Sequence, residues 1–309
     1  MRFDKPALTV AQQIELLRQR GLRVDDEQEA EHYLKFIGYY RLSGYALPLS
    51  QKHTNGTHNF KPGVGFRDIL KLYIFDRELR LIVNDAIERV EVAFRTRVSD
   101  YMAVKYGPHW LLKPERFAMR NEWQALLARI AGDLGFQEDG QIKEAKGRDV
   151  FIEHYFLKYA DPKLPPSWML TEVVSISCWS KAFQNLSSRE DRKAISTEFG
   201  LNPEVLGSWM HAISYTRNIC AHHARLWNRE FTIKPMVAKG QEAHLRNNGR
   251  FYAIAYVINC LLMKASPQAT WWERLVKHVE DNRFIDKAAM GFPEAGHRST
   301  PTAAPFAGL

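Results

Sequence analysis

The stretch FRDILKLYIFDRELRLIVNDAIERVEVAFRTRVSDYMAVKY, residues 66–106, decides the fold class. Its apolar residues recur every three or four positions, which places them on one face of a helix. The members of that face are Leu72, Phe75, Leu79, Ile82, Ala86, Val90 and Ala93. A second stripe runs beside it through Val83, Ile87, Phe94 and Val98. The two stripes predict one long helix that is covered on two sides and ends at Tyr106-Gly107-Pro108.

Further helices are predicted on the N-terminal side of this segment. Thr9 is a suitable N-cap for a first helix, and Asp25 and Asp26 open a second one that ends at Gly38. The polar residues 51–65, with three glycines and one proline, are predicted to form a loop.

The C-terminal side is also predicted to be helical. Helices are expected over the ranges 123–134, 176–186, 202–227, 245–264 and 267–287. Ser187 or Ser188 is expected to cap a further helix, and residues 132–147 are expected to form a polar connection. The sequence contains no internal repeat and no strand-like alternation. The expected fold is therefore all-α, a helical bundle with an N-terminal helical extension.

The domain organisation follows from these patterns. Residues 1–65 are expected to form the extension and residues 66–290 the main helical domain. Residues 291–309 are rich in Pro, Ala, Ser, Thr and Gly and lack apolar periodicity. Because such a segment cannot bury a core, it is predicted to be a disordered, dispensable tail.

Composition and charge indicate the compartment and the kind of partner. The net charge of +8 favours an anionic partner such as RNA, although many proteins are mildly basic without binding nucleic acid. The N-terminus lacks an apolar signal region, and the longest apolar run, residues 251–263, is too short to cross a bilayer. Three scattered cysteines fit reduced thiols. We expect a cytoplasmic protein without membrane or DNA partners.

The segment YTRNICAHHARLWNR, residues 215–229, carries the candidate chemistry. It combines two histidines, three arginines and two asparagines with buried-type apolar residues, as the wall of a polar cleft does. Histidine transfers protons near neutral pH, and arginine binds phosphate oxygens with a planar fork. We therefore expect His222 to move protons, Arg217 to hold phosphate, and Asn218, four residues before His222, to orient one or both.

The spacing within this segment also suggests a dimer. Arg217 and His222 are five residues apart, which is about 140° around an ideal helix. One copy therefore makes an incomplete site. Two copies facing each other across a twofold axis would surround one phosphate with two arginines and two histidines.

The motif resembles a known signature. Arg217-Asn218-x-x-x-His222 is similar to the R-N-x-x-x-H signature of HEPN ribonucleases. Around it, further motifs look like those of abortive-infection proteins of the AbiD/AbiF type: KPxLT (5–9), YYRLSGY (39–45), FDRxLR (75–80), ERVE (88–91), YG (106–107), LPPxW (164–168) and HxRLWN (223–228). The resemblance covers residues 4 to 285.

The resemblance implies an all-helical HEPN domain that dimerises to build a nuclease centre. It also implies a part in phage defence, with a toxin kept silent by a partner noncoding RNA. It implies no cofactor. The expected reaction is metal-independent endoribonuclease cleavage that leaves 2′,3′-cyclic phosphate, or its hydrolysed form, and 5′-hydroxyl ends.

Several residues near the motif have alternative interpretations. His223 is either a second proton carrier or a structural histidine, with neither favoured, and Arg225 is a secondary candidate. Cys220, His223 and His211 also raise a zinc alternative, which is disfavoured because structural zinc needs four ligands and no Cys-x-x-Cys pair occurs. No metal site is expected.

Aromatic and charged residues outside the motif form a weaker set of candidates. Tyr40, Arg41 and Tyr45 could stack on RNA bases, but Tyr39–Tyr45 more often indicates aromatic packing of the extension. Glu91 and Arg95 are four residues apart, which suits an ion pair within one helix, and Glu88 lies nearby. We interpret this pair as structural or solvated rather than catalytic. The same interpretation applies to Asp76, Arg77 and Arg80.

Two other function classes remain open at this stage. A non-catalytic RNA-binding or regulatory helical protein would share the fold and the basic surface. A purely structural interaction protein would explain the helices but not the polar cluster at 215–229.

Overall fold

The computed structural model describes residues 2, 6–52, 58–135 and 149–293. Within these residues the fold is all-α, as predicted, with one small hairpin added. The elements are α1 (Val10–Gln19), α2 (Glu27–Phe36), α3 (Tyr39–Ala46), β1 (Ser50–Lys52), β2 (His58–Phe60), α4 (Phe66–Tyr106), α5 (Arg120–Asp133), α6 (Val150–Lys158), α7 (Ser167–Val173), α8 (Ile176–Gln184), α9 (Arg189–Glu198), α10 (Pro203–Ala221), α11 (Glu242–Leu245), α12 (Phe251–Ala265) and α13 (Trp271–Asp281).

Most of the predicted elements are present, with corrected bounds. The range 51–65 is not only a loop, because β1 and β2 pair antiparallel with Ser50 opposite Phe60. Strands of three residues are too short to show an alternating pattern. Helix α6 had no predicted counterpart. The helix predicted to run to Trp227 ends at Ala221, and the one predicted from residue 245 begins at Phe251. Most of the predicted polar connection at 132–147 lies outside the described residues.

The chain divides into two compact units. The first comprises residues 1–80 and 282–285, and the second comprises residues 81–281 and 286–309. The division therefore falls inside α4, between Arg80 and Leu81, whereas the sequence placed the boundary in the loop before this helix.

The first unit begins with two capped helices. Thr9 accepts a hydrogen bond from the Gln12 amide at 3.3 Å, while the Gln12 side chain accepts one from the Thr9 amide at 2.8 Å. Asp26 caps α2 by accepting from the Glu29 amide at 2.9 Å. These side chains satisfy backbone donors that a helix N-terminus leaves free, which confirms both predicted starts.

A buried polar cluster holds α3 against α4 inside the first unit. The Tyr45 hydroxyl donates to the Asp76 carboxylate at 2.5 Å, and Arg80 pairs with the same carboxylate. Burial, followed by the charge of Asp76, raises the pKa of Tyr45. Tyr45 is only 2% exposed, which removes it from the RNA-binding candidates, whereas Tyr40 is 91% exposed and Arg41 is also exposed.

The second unit is built around α10. This helix packs against α8, α9 and α12, and twelve of its nineteen residues are buried. Helix α4 adds to the same core through Phe94, whose ring lies 5.7 Å from that of Phe183 and 6.2 Å from that of Phe199. The Trp271 indole donates to the Ile82 carbonyl and so fixes α13 against α4.

Asp191 organises the polar edge of this core at the start of α9. Its carboxylate is 2% exposed and accepts hydrogen bonds from Tyr101 at 3.0 Å, from Tyr106 at 2.7 Å and from Lys105. Burial opposes ionisation of Asp191, but these hydrogen bonds outweigh it, and the pKa of the carboxyl group is lowered.

The C-terminal region differs from the predicted tail in its first residues. The Phe292 ring lies 5.3 Å from Tyr252 and 6.3 Å from Phe251, so residues 291–293 are part of the packed second unit. Residues 294–309 of the predicted tail lie outside the described residues. In the ranges that are described, no helix has the length and apolarity required to span a bilayer.

Candidate functional site

The start and end of α10 set the position of the polar motif. Asn202 caps the helix by accepting from the Val205 amide at 2.9 Å. At the other end His222 is the C-cap, and the Ala224 amide donates back to the Ile219 carbonyl at 2.9 Å. The His223 amide donates to the Cys220 carbonyl at 3.0 Å. These two bonds form a Schellman motif, which turns the chain sharply just after His222.

His223 occupies the position of this turn where glycine is usual. Its φ of 55° lies in the left-handed region, which costs a side-chain-bearing residue roughly 1–2 kcal/mol. Beyond it, Leu226 is fully buried and Trp227 is 5% exposed, so both side chains anchor the chain to the core. The buried side chains of Leu226 and Trp227 therefore fix the backbone that follows α10.

The three candidate catalytic residues lie on the accessible side of the last helical turns. Asn218 and His222 are both exposed, and the Arg217 side chain is 42% exposed. Of the secondary candidates, His223 is exposed and Arg225 is half-buried. The structure therefore leaves all three groups open to a ligand, as a reaction with RNA requires.

A buried carboxylate on α4 anchors Arg217. The Arg217 Nε atom lies 3.8 Å from Glu91 Oε2, and the other oxygen of Glu91 pairs with Arg95. Arg95 Nη1 also donates to the Thr171 carbonyl at 2.8 Å. Two arginines thus share the Glu91 carboxylate, and the negative charge of Glu172 also acts on Arg95. Burial and the charge of Arg217 lower the pKa of Arg95 to about 10, which leaves it protonated at neutral pH.

The sequence interpretation missed this role of Glu91. It identified the Glu91–Arg95 pair within α4 correctly, and the structure shows that the pair is buried rather than solvated. The approach of Arg217 from α10 left no signal in the sequence, because a contact over such a separation has no fixed spacing. The only indication in the sequence was that Glu91, a charged residue, falls at the spacing of the apolar stripe that contains Ile87 and Phe94.

A pocket of about 490 Å³ opens on the other side of Asn218. Helices α5, α8 and α10 border it, and from α10 it receives His211, Ser214, Tyr215 and Asn218. These four residues follow the helical spacing of one face. Asn218 is thus a wall of the pocket and also the neighbour of Arg217 in the motif.

The zinc alternative finds no support at the positions that raised it. Across the described ranges, no three His, Cys, Asp or Glu side chains are grouped so that they could hold a metal ion. Cys220 is buried, whereas His223 is exposed and His211 lines the pocket.

The model of one protein family, described as Abi-like protein, matches residues 32–228, which is more than half of the chain. The chain belongs to the Abi-like protein family. The match begins within α2 and ends at Asn228, six residues after His222, so this Abi-like region contains both Glu91 and the whole of α10. Membership of the family supports a part in abortive infection, a form of antiviral defence.

The Abi-like match also includes the remaining surface candidates, Tyr40 and Arg41. Comparisons with curated proteins and with solved structures found no match.

Proposed function

We propose that this Abi-like protein is a metal-independent endoribonuclease with a HEPN-type centre. The observation that carries the proposal is the accessible group Arg217, Asn218 and His222 at the end of α10, with Arg217 held beside the buried Glu91. Glu91 is paired through one oxygen with Arg95, and its other oxygen faces Arg217, which gives this partly exposed arginine a fixed neighbour. The short signature and family membership point in the same direction.

In the proposed reaction the 2′-oxygen of RNA attacks the adjacent phosphorus, and the bond from phosphorus to the 5′-oxygen breaks. The proton of the 2′-hydroxyl passes to a base, and the departing 5′-oxygen takes up a proton. His222 serves these transfers, because an imidazole accepts and donates protons near neutral pH. Arg217 stabilises the negative charge that develops on the phosphate oxygens. Asn218 orients the imidazole or the phosphate. No cofactor takes part.

The proposal includes a homodimer. A separation of five residues corresponds to about 140° on an ideal helix, and His222 is the C-cap of α10, so one copy is expected to present Arg217 and His222 in different directions. A twofold-related second copy would bring an arginine and a histidine from different subunits to one phosphate. Light scattering should then give about twice the 35.8 kDa of the chain. A fully active monomer would contradict this part of the proposal.

The biological setting extends the family assignment. We place the activity in the cytoplasm, as a toxin that cleaves RNA during phage infection and is kept silent by a partner RNA or released by a trigger. The expected partners are therefore substrate RNA and a regulatory noncoding RNA.

The decisive experiment compares two alanine variants with matched controls. Arg217→Ala and His222→Ala should each lower the rate of RNA cleavage by at least about 100-fold, the usual scale for one positioned group. Arg246→Ala and His154→Ala, which change exposed residues outside the motif, should cleave at the wild-type rate. Circular dichroism should match in all four, and excess EDTA should not reduce wild-type cleavage.

Two outcomes would overturn the proposal in different ways. If correctly folded Arg217→Ala and His222→Ala both cleave at the wild-type rate, the site is misassigned. If the wild-type protein binds RNA but leaves it intact, the non-catalytic RNA-binding alternative is correct. Partial recovery of activity on mixing the two inactive variants would support a site shared between subunits.

A further inference from the structure

The pocket beside Asn218 has the size and lining of a small-ligand site. Its volume of about 490 Å³ falls within the range of roughly 300–1,000 Å³ that such sites occupy. Buried hydroxyl groups of Ser180 and Ser214 line it, and Met119 and Ile233 add apolar surface. Most of the lining side chains are polar, and a cavity with hydrogen-bonding groups beside some apolar surface matches a flat heterocycle that carries donors and acceptors on its edge.

The charges of the pocket favour a neutral ring over a phosphate. Its charged lining residues are Lys181 on α8 and Glu122 on α5, whose formal charges cancel. His211 adds a further hydrogen-bonding group from α10. Two always-charged arginines, Arg217 and Arg95, lie instead around Glu91, outside this lining. A phosphate group would therefore bind at Arg217, and a neutral ring would bind in the pocket lined by Asn218.

Asn218 connects the two places. It lines the pocket, directly follows Arg217 and precedes His222 by one helical turn. A nucleotide whose phosphate contacts Arg217 would bring the base of the same or the adjoining nucleotide to this pocket. We propose that the pocket binds a nucleobase of single-stranded RNA next to the cleaved phosphate and makes binding selective for that base. This inference rests on the proposed function and deepens it.

Selectivity follows from the chemistry of the lining. Serine hydroxyls and an imidazole hydrogen-bond to base edges, whose donor and acceptor patterns differ among the four bases. Ser180 already accepts a hydrogen bond from Gln184 at 3.0 Å, so a base with the wrong pattern would chiefly leave the buried Ser214 hydroxyl without a partner. Discrimination of at least about fivefold in Kd is expected, the lower end of what one well-placed pair of base contacts supplies.

The test measures binding and does not require cleavage. Fluorescein-labelled RNA decamers U10, A10, C10 and (GA)5 are titrated at nanomolar concentration with full-length His222→Ala protein, so that RNA stays uncut. Fluorescence anisotropy should give Kd values that differ at least about fivefold between the best and worst decamer.

Two pocket variants in the same His222→Ala background test the assignment. The double change His211→Ala with Ser214→Ala removes polar groups, and Ser177→Phe fills the space with a ring. Both should reduce the spread of Kd values to below about twofold, because the Kd of the preferred decamer rises. Glu204→Gln, an exposed change in the first turn of α10, should leave the spread unchanged.

Each outcome separates this inference from the proposed function. Equal Kd values for all four decamers, or an unchanged spread in both folded pocket variants, overturns the inference even if the protein cleaves RNA. Discrimination that collapses in the variants supports the pocket even if no cleavage occurs. If a free mononucleotide at micromolar concentration raises the melting temperature while RNA binding stays unselective, the pocket serves a free nucleotide and the inference fails.

Discussion

Replacing Glu91 by glutamine separates the structural and functional parts of the arginine cluster. Glutamine keeps the size of the side chain and one carbonyl oxygen, but it removes the negative charge that Arg95 and Arg217 share. Arg95, whose side chain is only 15% exposed, would then lose its ion-pair partner, and Glu172 would be the remaining negative charge that favours its protonated form.

The loss of stability comes mainly from Arg95. Removing one partner of a buried ion pair costs about 3–5 kcal/mol. Arg95 keeps its 2.8 Å hydrogen bond to the Thr171 carbonyl, which favours the lower end, about 3 kcal/mol. Arg217 is 42% exposed, so its pair with Glu91 contributes no more than about 1 kcal/mol. For a chain of 309 residues, a loss of about 3 kcal/mol corresponds to a melting temperature roughly 5 °C lower.

Differential scanning fluorimetry measures this shift, and an RNA cleavage assay below the lower melting temperature measures the effect on Arg217. We expect cleavage to fall about tenfold or more, because Arg217 loses the contact that positions it. Glu88→Gln is the matched control, since Glu88 is exposed on the same helix and should change neither quantity. A folded Glu91→Gln protein that melts and cleaves like Glu88→Gln would refute the reasoning.

Three further predictions concern single residues of the second unit. Asp191→Asn should destabilise the protein by about 1.5–3 kcal/mol at pH 7. Because the pKa of Asp191 is lowered on folding, urea titrations should show this difference in stability disappear as the pH falls below about 4. His223→Gly should raise the stability by up to about 1 kcal/mol, because glycine adopts the left-handed φ without strain. If His223 is a structural histidine, the variant should cleave RNA at the wild-type rate, and if it is a proton carrier, the rate should fall about 100-fold. A chain ended after Pro293 should melt like the full-length protein, whereas one ended after Met290 should melt measurably lower, because it loses the contacts of Phe292.

Local chemistry made much of the fold predictable from the sequence. The apolar stripes of α4 lie where the spacing placed them, and the polar caps at Thr9, Asp26, Ser188 and Asn202 start helices as expected. Such signals are strong because each depends on residues within one or two helical turns.

The end of α10 was harder to predict, since its stop signal is a histidine in a conformation where glycine is the usual marker. Long-range arrangements were not predictable from spacing at all. The contact between Glu91 and Arg217, and the pocket formed by three helices that are separated in the chain, exist only after the core has packed.

The buried residues after α10 have a consequence for any ligand that binds at His222. Because Leu226 and Trp227 are already packed in the core, the backbone around His222 is ordered before any ligand arrives. A loose loop would lose about 1–2 kcal/mol of conformational freedom for every residue that a ligand fixes. With that entropy already lost during folding, the contacts that a ligand makes here contribute directly to its affinity, and association requires no rearrangement of the chain at this point.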